Sequence, residues 1–146
     1  MIIAIRIAGQ INMHPQPKEM LFRLRLRQKY TAVLMQDNDA SKHTLQTIRS
    51  FTAYGPIDKE TLVELLKARG FKYDKAGKSS KLSEADAVKL SVELEKKTAN
   101  ELSLKPFFRL HPPRGGIDAK KHVGVSKKAV LGDNKERINE LVRRML

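Results

Sequence analysis

The sequence predicts an α+β fold, and three observations lead to that class. The first 57 residues alternate strand and helix signals in the order β-α-β-α-β, and from Asp58 the pattern changes to amphipathic helices. From Lys105 onward the chain is glycine-punctuated and basic, and it closes on a strongly periodic helix. A length of 146 residues suits one hydrophobic core rather than two. The expected organisation is therefore a core over 1–57 and a helical insert over 58–104. Residues 105–146 add a strand, a Pro-Pro-Arg-Gly-Gly loop, a basic arm and a C-terminal helix, all within one domain.

The elements follow in order. In "IIAIRIA", Ile3, Ile5 and Ile7 share one face while Ile2, Ala4 and Arg6 share the other, the period-two pattern of a strand. "PQPKEMLFRLRLRQK" follows, with Pro17 suited to a first helical position and Glu19 to a first turn. Its "RLRLR" alternates like a strand, yet Met20, Leu21 and Leu24 have helical spacing, and the stretch reads as helix. "YTAVLMQ" at 30–36 is an apolar run suited to a central strand. Asp39 can then cap a helix whose Leu45, Ile48 and Phe51 face inward, and "TAYGPI" makes a third strand.

"DKETLVELLKARG" has an acidic cap, an apolar stripe of Leu62, Val63, Leu65 and Leu66, and Gly70 just past its end. A polar loop, "YDKAGKSSKL", separates it from "SEADAVKLSVELEKK", where Ser83 and an acid three residues later resemble a capping box. A further strand is expected at 106–110. The stretch "GGIDAKKHVGVSKKAVLGD" reads as a loop or irregular arm. Asp133 then begins a last helix in which Ile138, Leu141, Val142 and Met145 follow i, i+3, i+4, i+7.

Charge narrows the function. Lys and Arg number 29 against 16 Asp and Glu, a net +13 with a pI near 10.1, which favours a polyanionic partner. Residues 1–57 carry 8 basic and 3 acidic side chains, 58–104 carry 10 and 9, and 105–146 carry 11 and 4. The outer segments thus hold the binding charge, and the middle one reads as an ordinary solvated surface. No apolar run is long enough to span a membrane, and "MIIAIRIAG" carries Arg6 in its middle. Zero cysteines exclude disulfides and thiolate metal sites and suit a reducing cytoplasm.

Catalytic and cofactor signatures are weak. "AGKSS" at 76–80 suggests a phosphate-binding loop, but Lys72 stands where that signature needs glycine, and the segment is not expected to follow a strand. His14, His43, His111 and His122 include no helical i, i+4 pair. More than half the acids lie in the middle segment, where helix starts and solvated faces explain them. The reading is no enzyme, no cofactor, no metal and no small-molecule substrate.

Two basic stretches point to phosphate. Arg23, Arg25, Arg27 and Lys29 alternate along seven residues, and the guanidinium fork matches two phosphate oxygens. "FFRLHPPRGG" at 107–116 pairs groups that ask for burial with Arg109, His111 and Arg114, which ask for water or an anion. Aromatic residues are too few for a stacking platform, so contacts to backbone and shape fit better than base reading. A DNA- or chromatin-binding protein would use the same charge.

"IRIAG", "RLRLRQ", the apolar second strand, "AYG" and "FRLHPPRGG", in this order, resemble large-subunit ribosomal proteins of the L thirty family in the long form of archaea and eukaryotes. Residues 1–57 match the core shared with the short bacterial form, and 58–116 match the added helices and loop. The family often has Arg-Gly after the first strand, where this chain has Ala8-Gly9. The resemblance implies a non-catalytic component of the cytoplasmic ribosome with a small antiparallel sheet and packed helices in a ferredoxin-like arrangement. Its implied partners are ribosomal RNA of the large subunit and neighbouring ribosomal proteins. Arg23, Arg25, Arg27, Lys29, Arg109, His111, Arg114, Gly115 and Gly116 are the RNA contacts it implies. Arg6 and the basic-arm residues Lys120, Lys121, Lys127 and Lys128 complete the expected set. In this reading Phe107, Phe108 and Leu110 anchor the late segment, Pro112-Pro113 stiffen its exit, and Arg114 with Gly115-Gly116 approaches RNA.

Overall fold

The computed structural model of the chain describes residues 1–9, 13–73, 79–94 and 101–146. The elements are β1 (Ile2–Arg6), α1 (Pro15–Arg23), β2 (Thr31–Met35), α2 (Asp39–Thr47), β3 (Thr52–Pro56), α3 (Lys59–Arg69), β4 (Phe71–Tyr73) and β5 (Ser79–Lys81). They continue with α4 (Glu84–Glu93), β6 (Phe108–Arg109), β7 (Asp118–His122), β8 (Ala129–Asp133) and α5 (Arg137–Met145). Among the described residues no helix is long and apolar enough to cross a membrane.

One six-stranded sheet runs in the order β6-β2-β1-β3-β8-β7, and β4 and β5 form a separate hairpin. β1 is buried along its whole length because the sheet is covered on both faces. Ile3 and Ile5 pack with Leu62, Leu65 and Leu66 of α3, Leu90 of α4, and Ile138 and Val142 of α5. Ile2 and Ala4, on the other face, pack with Leu21 of α1 and Leu45 of α2. The β-α-β-α-β core thus has its own two helices on one side. The insert helices and α5 shield the side that would otherwise lie bare.

The α+β class and the ferredoxin-like core agree with expectation, and the C-terminal segment adds to them. β1–β2, β1–β3 and β2–β6 are antiparallel, but β3–β8 and β7–β8 are parallel, so the sheet is mixed. What reads in the sequence as an irregular basic arm contains β7 and β8. Lysines and glycines hide those strands, since β7 has an exposed edge and little apolar alternation.

Several boundaries move for local reasons. α1 starts at Pro15 with His14 as its cap residue, so Pro17 lies inside the first turn and Glu19 beyond it. Asn38 rather than Asp39 occupies the N-cap of α2, and neither that cap nor Asp58 makes a side-chain capping bond. Ser83 does cap α4: its hydroxyl accepts from the Asp86 N–H at 3.3 Å and donates to the Asp86 carboxylate at 2.8 Å. The 95–97 part of that predicted helix lies outside the described residues. Asp133 ends β8 instead of starting α5, and its carboxylate accepts the Lys135 N–H at 2.9 Å. The polar loop after α3 contains the β4–β5 hairpin, so "AGKSS" does follow a strand, although residues 74–78 lie outside the described residues. It leads into another strand rather than a helix, unlike a phosphate-binding loop.

Gly55 is where α5 meets the sheet. A Cβ there would stand 2.5 Å from the Lys135 carbonyl oxygen and within 3.2 Å of Ile138. Asn139 of α5 reinforces the contact by accepting the Asp58 N–H at 3.0 Å and donating to the Pro56 carbonyl at 3.3 Å.

Candidate nucleic-acid interface

The series from Arg23 to Lys29 is not the end of a helix. α1 stops at Arg23, and Arg25 takes a left-handed conformation at φ 61°. The Leu26 N–H then donates to the Leu21 carbonyl and the Arg25 N–H to the Phe22 carbonyl, which is the hydrogen-bond pattern of a Schellman cap. Glycine usually fills the left-handed position, and an arginine there costs about 1 kcal/mol. The leucines offset it: Leu26 is fully buried beside Leu21, while Arg23, Arg25 and Arg27 point to solvent. The strand-like alternation of "RLRLR" was therefore the informative signal.

Arg6 holds this loop from behind. It is 3% exposed, and its guanidinium donates to the carbonyls of Leu26 (2.6 Å), Arg27 (3.1 Å), Ala8 (3.2 Å) and Gly9 (3.2 Å). Burial lowers its pKa from the ordinary arginine value, yet an arginine so placed stays charged. The expectation that Arg6 touches RNA is corrected, because its donors face backbone. It is a positioning residue for the basic loop. Lys29 lies exposed beside Gly9.

β6 brings the late segment to the same place. Thr31 pairs with Arg109 and Ala32 with Phe108 along the edge of the sheet. Period-two geometry turns Phe108 into the core and puts Phe107 and Arg109 on the opposite face. Arg25, Arg27, Gln28, Thr31, Phe107 and Arg109 consequently line one cleft of about 470 Å³. The Arg27 guanidinium also lies 4.0 Å from the centre of the Phe22 ring. Arg23 pairs with Glu19 at 2.6 Å, with both side chains solvent-exposed, and lines a neighbouring groove that shares Arg25.

The Pro-Pro-Arg-Gly-Gly loop has a structural task. The His111 N–H donates to the Met145 carbonyl at 2.9 Å and the Arg114 N–H to the Arg144 carbonyl at 3.0 Å. Carbonyls at the end of a helix have no partner within it, so the loop caps α5. Arg144 answers by donating to the carbonyls of Arg114 and Gly116, each at 2.7 Å from Nη2. Gly115 and Gly116, at φ 80° and 69°, make the left-handed bend. Phe108, Leu110 and Pro113 are buried, Phe107 is half-buried, and the side chains of His111 and Arg114 are exposed.

Beyond the loop the chain reaches the opposite edge of the sheet. Lys120, Lys127 and Lys128 line a shallow groove on β7 and the turn into β8, and Lys121 pairs with Asp118 at 3.5 Å. Lys127 also lines a second groove with Arg137 and Arg144. The predicted cations other than Arg6 therefore gather at two edges of the sheet, and the 111–116 loop joins those edges along the chain. Gln28, Arg137 and Arg144 are additions that the sequence reading missed. Phe107, expected in or beside the core, packs half-buried against it and lines the cleft as well, which only its i, i+2 relation to Arg109 hinted at.

No family model matches the chain. It is similar to the large ribosomal subunit protein uL30 of Aeropyrum pernix, at 35% identity over 97% of this chain and 96% of that protein. The same-named proteins of Archaeoglobus fulgidus (34% identity, 99% of each chain) and Methanococcus vannielii (34%, 97% of each) are similar over comparable lengths.

Proposed function

This chain belongs to the uL30 family of large ribosomal subunit proteins, and from that premise we propose that it is a non-catalytic constituent of the large subunit, on the cytoplasmic ribosome, that binds ribosomal RNA through phosphate and shape contacts. The observation that carries this reading is the convergence of Arg25, Arg27 and Arg109 in one cleft, from segments that the β2–β6 pairing brings side by side. Guanidinium groups held by a buried scaffold lose less ordering entropy when they engage phosphate. Arg6 and the Schellman cap supply that scaffold. At the other edge the lysines of β7 and its turn extend the contact along the RNA backbone, and the 111–116 loop carries Arg114 between the two groups. Neighbouring ribosomal proteins would meet the near-neutral surface of the insert.

The test is sedimentation of a tagged copy through a sucrose gradient of cell lysate, washed at increasing salt. Wild type should migrate with the large subunit, and the Arg25→Ala/Arg27→Ala/Arg109→Ala variant should wash off at lower salt. A protein found free or on the chromosome, or one that binds duplex DNA as tightly as structured RNA, would overturn the proposal.

A further inference from the structure

The cleft between the 24–29 loop and β6 has features that phosphate binding does not use. A phosphate needs cations and N–H donors, whereas this cleft also has an aromatic ring in its wall and an exposed side-chain amide at its rim. Its volume of about 470 Å³ falls in the range of small-molecule sites, roughly 300 to 1,000 Å³, which is more than a phosphate group fills.

The Phe107 ring is held in place. Phe108, next to it, is buried at 2% exposure and β6 is paired to β2, so the backbone under Phe107 is fixed. The Lys105 ammonium lies 4.7 Å from the Phe107 ring centre and 5.5 Å from that of Phe71. One side of the ring thus meets a cation lodged between two aromatics, and the ring also lines the cleft. A preset ring beside guanidinium groups is the arrangement by which proteins hold unstacked RNA bases, which stack on aromatic faces while their edges are hydrogen-bonded. Gln28 offers both an amide donor and an acceptor to such an edge.

We infer that this cleft receives one unpaired base of the bound RNA, stacked on the Phe107 ring, with Gln28 at the base edge and Arg25 and Arg109 on the flanking phosphates. The inference rests on the RNA-binding reading and deepens it. Base stacking is uncharged and phosphate pairing is not, so their losses differ in salt dependence. The flanking arginines contribute to the salt slope, and Phe107 does not.

The chain contains no tryptophan, so Phe107→Trp places a single tryptophan, excited selectively over the tyrosines, in the cleft wall. The full-length variant is titrated with large-subunit ribosomal RNA, and binding is followed separately by filter retention. Tryptophan emission should be quenched as RNA binds, and Phe107→Leu, verified as folded by thermal melting, should bind about ten-fold more weakly with an unchanged salt slope. Arg109→Ala should instead flatten the slope, by roughly 0.7. Unchanged emission from the bound Trp variant, together with wild-type affinity of Phe107→Leu, overturns the base-stacking inference and leaves RNA binding intact. Failure of wild type to bind this RNA overturns both.

Discussion

Arg6 illustrates how a residue's type can misdirect while its surroundings explain it. An arginine in a basic protein suggests the partner surface, but this one is inside, donating to four backbone carbonyls in bonds that are buried at Leu26 and partly buried at Ala8, Gly9 and Arg27. Hydrogen bonds to a charged group are worth about 1.5 to 3 kcal/mol net, and the orphaned carbonyls would add their own penalty. Arg6→Met should therefore lower unfolding stability by about 3 kcal/mol in urea titration. Arg6→Lys should recover only part of that loss, because an ammonium has three donors on a flexible stem instead of a planar fork. A fully stable Arg6→Met protein would refute the positioning role. Nothing in "IRIAG" announces this, since the burial of Arg6 depends on carbonyls twenty residues away in the chain.

At the scale of elements, legibility follows the strength of the local pattern. β1, β2, β3 and the apolar face of α5 could be read because alternation and helical period are sequence properties. β7 and β8 could not, because β8 is stabilised by parallel pairing with β3, a long-range event, and β7 is an exposed lysine-bearing edge. The left-handed cap at Arg25 escaped for another reason: glycine or asparagine normally marks it. The junction of α5 with the 111–116 loop is also reciprocal in a way that spacing cannot reveal, the loop capping the helix while Arg144 clamps the loop. Arg144→Ala should raise amide hydrogen exchange at Arg114 and Gly116, whose N–H groups bond within this junction. Global stability should change by less than about 1 kcal/mol, since the clamp is solvent-exposed. Unaltered exchange at both amides would mean that the backbone bonds hold the loop unaided.

For the molecule as a whole, the strand order decides how the charge is presented. β6 and β7 are opposite edges of a six-stranded sheet, and five inter-strand spacings of about 4.8 Å set them about 24 Å apart. The composition of the outer segments revealed that they carry the excess charge, but not that the sheet would part it into two groups. An RNA that touches both groups must span the sheet. With about six phosphates neutralised, affinity should fall with salt at a log–log slope near −4. If the two edges act independently, Arg25→Ala/Arg27→Ala/Arg109→Ala and Lys120→Ala/Lys127→Ala/Lys128→Ala should each reduce the slope to about −2. Combining them should leave only the small slope that Arg114 and the remaining loop cations contribute, because sites so far apart contribute additively. Filter binding to large-subunit ribosomal RNA across a salt series measures this directly. A single triple variant that removes the whole slope while the other leaves it intact would place the RNA on one edge only.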